Sequence, residues 1–172
     1  CRRILAWRRG EPERDLGKVC DIDDKKKKEW ELREKSQKDS LTGLLNNSTI
    51  KQQIGARLQS LKRGQTGYLV VQDVDSFKKI NDTNGHLFGD AVLCSFADEL
   101  SNIFPEALKG RIGGDEFVFY VEDMDREKLE EKLKQLNRCM SDRYDDDKTG
   151  LHISCSLGAA VTDGTVTDYN LL

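Results

Sequence analysis

Apolar residues recur along this chain in two rhythms, and each predicts its own kind of element. Ile50, Ile54, Leu58 and Leu61 fall at helical spacing, which predicts an amphipathic helix buried along one stripe. Ser48 is placed to cap its start, and Lys62-Arg63-Gly64 supplies the cations and glycine that end helices. Tyr68-Leu69-Val70-Val71 is instead a continuous apolar run, suited to a central strand covered on both faces and stopping at Asp73. A short helix follows through Phe77-Lys78-Lys79-Ile80, then a turn from Asn81 to His86. From Leu87 to Phe104, Val92, Leu93, Phe96, Ala97, Leu100 and Ile103 share one helical face before Pro105 ends it.

The strand rhythm returns at Val118-Phe119-Tyr120-Val121, after a glycine-rich turn. Arg126 to Met140 is again helical through Leu129, Leu133 and Leu136; Asp145-Asp146-Asp147 is a solvated loop. Leu151, Ile153 and Cys155 then alternate with polar residues into a strand reaching Val161. From residue 48 the order is helix, strand, helix, helix, hairpin, helix, strand. That is an α/β or α+β fold with an antiparallel hairpin inside the sheet.

The first part of the chain reads differently. Residues 1–22 suggest two short strands, the tail of something larger, and Lys25 to Lys38 is a charge-rich helix with only Trp30 and Leu32 as large apolar residues. Such a helix connects modules or forms a weak coiled-coil stem. Residues 1–38 carry 13 Lys/Arg against 9 Asp/Glu, and the remaining 134 carry 15 against 22. The acidic bulk repels polyanions, which argues against nucleic-acid binding and requires a bound cation wherever a phosphate ligand sits. No apolar run has the length to cross a bilayer and no signal peptide opens the chain, so no membrane contact is expected from this segment. Five scattered cysteines without a Cys-x-x-Cys pair fit reduced thiols in the cytoplasm.

The chemistry concentrates at Arg111-Ile112-Gly113-Gly114-Asp115-Glu116-Phe117. Gly-Gly-Asp predicts a tight hairpin turn with positive φ, which would expose both acids. Turn chemistry alone also explains such residues, as a solvated hairpin tip. If the strand carrying Asp73 pairs beside this hairpin, Asp73 and Asp115 converge. Oxygen ligands from two acids, completed by water and substrate phosphate, suit Mg²⁺ rather than zinc. Glu116 would then be a second ligand or a base, the two-metal logic of nucleotidyl transfer.

Residues 39–161 resemble the GGDEF domain, the diguanylate cyclase family. The motifs are Asp39-x-Leu41-Thr42-Gly43-Leu44-x-Asn46, Asp73-x-Asp75-x-Phe77-Lys78-x-Ile80-Asn81-Asp82, Gly85-His86-x-x-Gly89-Asp90, Arg111-x-Gly113-Gly114-Asp115-Glu116-Phe117 and Ser156-x-Gly158. The resemblance implies an α+β fold (an α/β sandwich): a mixed, mostly antiparallel sheet flanked by helices, like the palm of class III nucleotidyl cyclases. It also implies condensation of two GTP into cyclic di-GMP with release of pyrophosphate, at a homodimer. Carried over, Asp73, the Val74 carbonyl, Asp115 and Glu116 would hold Mg²⁺, with Mn²⁺ as the alternative ion. Glu116, beside Asp115, would assist deprotonation of the attacking 3′-hydroxyl. Asn81 and Asp90 would hydrogen-bond guanine, while Phe77, Lys78, Gly113 and Gly114 would meet the rest of GTP. Asp75 and Asp82 are read as capping or turn acids, His86 as a hydrogen-bonded turn histidine, Asp39 as ordering the domain entrance and His152 as without a role.

Three departures qualify this. The family's inhibitory Arg-x-x-Asp is replaced by Phe104-Pro105-Glu106-Ala107, so no such inhibitory site is expected. Asn47 replaces a frequent arginine. The chain also stops before the family's basic Ala-Asp-x-x-Leu-Tyr-x-x-Lys helix, so the domain at 39–172 reads either as C-terminally truncated or as binding phosphate more weakly. Gly17-Lys18-Val19-Cys20-Asp21-Ile22-Asp23 is similar to the last strand of a PAS sensor domain, with 23–38 as the signalling helix, implying an upstream sensor as partner. The competing function is a non-catalytic GTP-binding or dimerisation module, against which the intact acids argue.

Overall fold

The computed structural model describes residues 36–145, 152–166, 168 and 169. The chain divides into two compact units, Cys1–Ser36 and Gln37–Leu172. The sheet and its helices belong to the second unit. The PAS-like tail and nearly all of the charged helix lie outside the described residues.

The described elements are β1 (Leu45–Asn46), α1 (Asn47–Ser60), β2 (Gly67–Val74), α2 (Phe77–Asn84), α3 (His86–Ile103), β3 (Leu108–Arg111), β4 (Glu116–Glu122), α4 (Arg126–Tyr144) and β5 (Cys155–Thr162). The strands form one mixed sheet in the order β1-β3-β4-β2-β5. β1 runs parallel to β3, and every other pairing is antiparallel. This is the expected α+β sheet flanked by helices.

Strand alternation divides the core between the two faces. Tyr68, Val70 and Val74 of β2 join Phe117, Phe119 and Val121 of β4 in a large cluster with α3 and α4. Phe96 packs at a tilt on Phe117 at 4.5 Å and Phe104 on Phe119 at 4.7 Å between ring centroids. The opposite face carries Leu69, Val118 and Tyr120, covered by Ile50, Ile54 and Leu58 of α1. The expectation that β2 is covered on both faces therefore holds only for its first half, since Val71 is 37% exposed. Gln72 faces the large cluster at 1% exposure with neither amide atom hydrogen-bonded.

Several boundaries differ from the pattern-based reading. α1 begins before Ser48, because the Asn46 side chain accepts from Thr49 N at 3.0 Å and caps the helix there. Residues 45 and 46 also pair as a strand, in a stretch whose sequence has no strand period. The turn expected from Asn81 is helical up to Asn84; Gly85 alone, at φ 86°, breaks the chain between α2 and α3. α4 runs on to Tyr144, and β5 starts only at Cys155. His86 opens α3 exposed, without a side-chain hydrogen bond among the described residues.

Candidate functional site

The register of β2 against β4 places Asp73 directly opposite Glu116. Opposed residues of an antiparallel pair share a face, so both carboxylates lie on the α1 side of the sheet, at its open end. Asp115 is tied to the same place through its backbone, its carbonyl accepting from Val74 N at 3.3 Å. The strand ending near Asp73 and the hairpin carrying Asp115 are therefore neighbours, as convergence of the two acids requires.

The turn itself is not the one expected. Neither Gly113 nor Gly114 has positive φ. Residues 112–115 form a four-residue loop closed by Ile112 N and Gly113 N, which both donate to the Glu116 carbonyl at 2.9 and 3.4 Å. Gly113 leaves room for the Glu116 carboxylate: a Cβ there would lie 2.5 Å from Oε2 and displace that flexible end, whereas one on Gly114 would meet nothing within 4 Å. Arg111 holds the loop from below. Its Nε and Nη2 donate to the Gly114 carbonyl at 3.1 and 2.6 Å, and Nη1 donates to Asp39 Oδ1 at 3.1 Å. Asp39 also accepts from Thr42 N and Oγ1 at 2.9 and 2.7 Å. Burial opposes its charge, but the Thr42 bonds and Arg111 outweigh it and hold Asp39 below the ordinary carboxylate range. So Asp39 does order the entrance, and through Arg111 the 112–115 loop as well.

Electrostatics separate the acids. Desolvation, then the charges of Asp115, Glu116 and Asp75, push the Asp73 carboxyl above its usual value. Asp75 moves the other way, because Ser154 Oγ and Ser156 Oγ each donate to it at 2.5 Å. It is thus a latch between β2 and β5 rather than a cap. Asp73, Asp115 and Glu116 have no side-chain hydrogen bond among the described residues. Crowded, unpaired oxygen donors at the ends of adjacent strands and in the loop before β4 fit a hard divalent cation, which would relieve their repulsion. Among the described residues no three such groups are already assembled in a metal-holding cluster.

The helices carry the other expected ligand-binding residues. Ser76, at φ 56°, turns the chain from β2 into α2, exposing Lys78 and half-burying Phe77. Asn81 packs its amide on Gly89 of α3, where any Cβ would overlap it, and Phe77 Cζ would lie 3.1 Å from that Cβ. This brings Asn81 beside the turn bearing Asp90. Asn81 Oδ1 is buried without a hydrogen-bond partner. Cys94, one turn beyond Asp90, donates to the Leu41 carbonyl at 3.4 Å, fastening α3 to the entrance segment. His152 pairs with Asp145 at 3.3 Å. Gly89, Arg111 and Asp75 stand within the family motifs, but their structural work depends on contacts that spacing does not reveal.

Residues 36–172 match the family model for "Diguanylate cyclase, GGDEF domain". The chain is 33% identical over 77% of its length to the diguanylate cyclase DgcP of Pseudomonas aeruginosa, of which the match covers 20%. It is 28% identical over 89% of its length to the cyclic di-GMP phosphodiesterase PdeR of Escherichia coli, covering 24% of that protein. The chain thus spans about a quarter or less of these relatives. The coiled coil and GGDEF domain of DgcB from Caulobacter crescentus, solved in complex with c-di-GMP, superposes with a TM-score of 0.76 at 24% identity, over 86% of this chain and 81% of that one. At that identity the likeness is one of fold.

Proposed function

This chain belongs to the GGDEF domain family, and on that premise we propose that it condenses two GTP molecules into cyclic di-GMP with release of two pyrophosphates. The observation that carries the reading is the Asp73–Glu116 opposition, with Asp115 held beside Val74, at the open end of the sheet. Glu116 projects from the first residue of β4, exposed, and Gly113 leaves room for its carboxylate. It takes the proton of the ribose 3′-hydroxyl of one GTP. That oxygen attacks the α-phosphorus of the second GTP, and the bond to the pyrophosphate oxygen breaks. Repetition in the opposite sense closes the ring, so two domains face each other.

Asp73, the Val74 carbonyl, Asp115 and Glu116 would hold Mg²⁺ or Mn²⁺. The ion supplies charge neutralisation at the phosphates. Asn81 donates to and accepts from the guanine edge and Asp90 accepts from its N–H groups, while Phe77 and Lys78 at the start of α2, with Gly113 and Gly114, receive the phosphates. The site works in the cytoplasm under an upstream sensor. Among the described residues no helix is long and apolar enough to cross a membrane.

A second reading, a GTP-binding module without turnover, draws on the phosphodiesterase among the relatives. Incubation with GTP and Mg²⁺, quantifying pyrophosphate and cyclic di-GMP together, decides between them. The cyclase yields both, and Asp115→Asn yields neither while staying folded. Bound GTP without product selects the module, and unchanged turnover in Asp115→Asn overturns the metal assignment.

A further inference from the structure

Tyr144, the last residue of α4, reaches out of its own helix onto α3. Its hydroxyl lies 2.5 Å from Ser95 Oγ and donates to the Ala91 carbonyl at 3.3 Å. Its ring meets Phe88 edge-on, with centroids 5.8 Å apart and planes at 81°. Phe88, Ala91 and Ser95 form one stripe over the first half of α3, at helical spacing. Asp90 lies within that stretch, next to the Gly89 on which the Asn81 amide rests.

This end of α3 depends on support from outside. Gly85 precedes it at φ 86°, no side chain caps the helix, and its first turn holds no acid to complement the dipole. Tyr144 is itself well anchored. Arg143 beside it pairs with Glu99 of α3 at 2.6 Å, and the following Asp145 accepts from Ile153 N at 2.9 Å.

We propose that Tyr144 is a positioning residue for base recognition, bracing the first turns of α3 so that Asp90 meets the purine N–H edge beside Asn81. The proposal rests on the GTP-binding reading above. Its chemistry is specific to the hydroxyl, which gives one hydrogen bond to a backbone carbonyl and takes one from a serine.

The test measures binding of GTP and of inosine triphosphate, which lacks the 2-amino group, together with KM and kcat. It uses the wild-type chain, Tyr144→Phe and Ser95→Ala. Tyr144→Phe keeps the ring on Phe88 and removes both hydroxyl bonds. It weakens GTP binding about fivefold, weakens inosine triphosphate less, and raises KM more than it lowers kcat. Ser95→Ala shifts the same preference by less, and carries the test alone should Tyr144→Phe not fold. Equal losses for the two nucleotides, or a lowered Tm with unchanged preference, make Tyr144 a packing residue and overturn the proposal. A wild-type chain that binds GTP without preferring it to inosine triphosphate overturns the base-recognition reading, and this one with it. A wild-type chain that binds neither nucleotide overturns the GTP reading.

Discussion

The strand half and the helix half of the candidate site are built on opposite principles. Asp73, Asp115 and Glu116 are placed by the backbone ladder of β2 and β4, and their side chains are left unpaired among the described residues. Asn81 and Asp90 stand on two short-linked helices whose approach is set by side-chain volume, the Asn81 amide lying where a Cβ of Gly89 would be. A ladder tolerates a change of functional group, because hydrogen bonds between main chains do not depend on it. A packed helix pair tolerates changes of charge better than changes of size. The strand half should thus fail chemically while staying folded.

The largest expected effect tests that statement. Glu116→Gln should lower kcat by about 10²–10⁴-fold if Glu116 is the base, with the urea unfolding midpoint nearly unchanged because the side chain is exposed and unpaired. A folded variant with full kcat would remove Glu116 from the chemistry.

Neighbouring glycines sharpen the comparison inside one loop. Gly113→Ala should displace the Glu116 carboxylate, which a Cβ would approach to 2.5 Å, and cost about 10²-fold in kcat through misplacement. Gly114→Ala, with open space around it in the folded chain, should leave the Glu116 carboxylate in place and lower kcat less, its cost appearing in KM for GTP. Equal rates for the two variants would show that steric room at Gly113 is irrelevant.

Gln72, one residue before Asp73, carries the volume logic into the strand half. Replacing its buried, unpartnered amide by Leu should stabilise the fold by about 1–3 kcal/mol, read as a higher urea midpoint. A loss of stability would mean that the amide has partners which the leucine forfeits.

The smallest effect is a pH dependence at the entrance. Asp39 titrates below its ordinary value of 3.8 in the folded chain, so it binds fewer protons folded than unfolded near that pH. Its contribution is complete above that value and is lost as pH falls through the lowered folded one. Thr42→Val removes one of the bonds holding it down. Between about pH 5 and 2, its stability should fall less steeply than that of wild type; identical slopes would show that the hydroxyl bond does not govern Asp39.

Periodicity and apolar runs determined the order of three of the described helices and three of the described strands, since the stripes of α1, α3 and α4 and the apolar run of β2 each require burial. The site acids could be singled out because strand ends and glycine turns are where a sheet exposes side chains. The two-residue β1 was not legible, because it is a strand only through pairing with β3. Nor was the backbone of the 112–115 loop. Gly-Gly-Asp is compatible with positive φ, but Arg111, two hydrogen bonds to the Glu116 carbonyl and the Glu116 side chain select another conformation. Asp75 looked like a turn acid until β5 brought Ser154 and Ser156 to it from 79 and 81 residues away. Sequence spacing determines which residues share a face. Which partner a carboxylate meets, and how much room a glycine must leave, depends on distant segments that become neighbours only when the sheet closes.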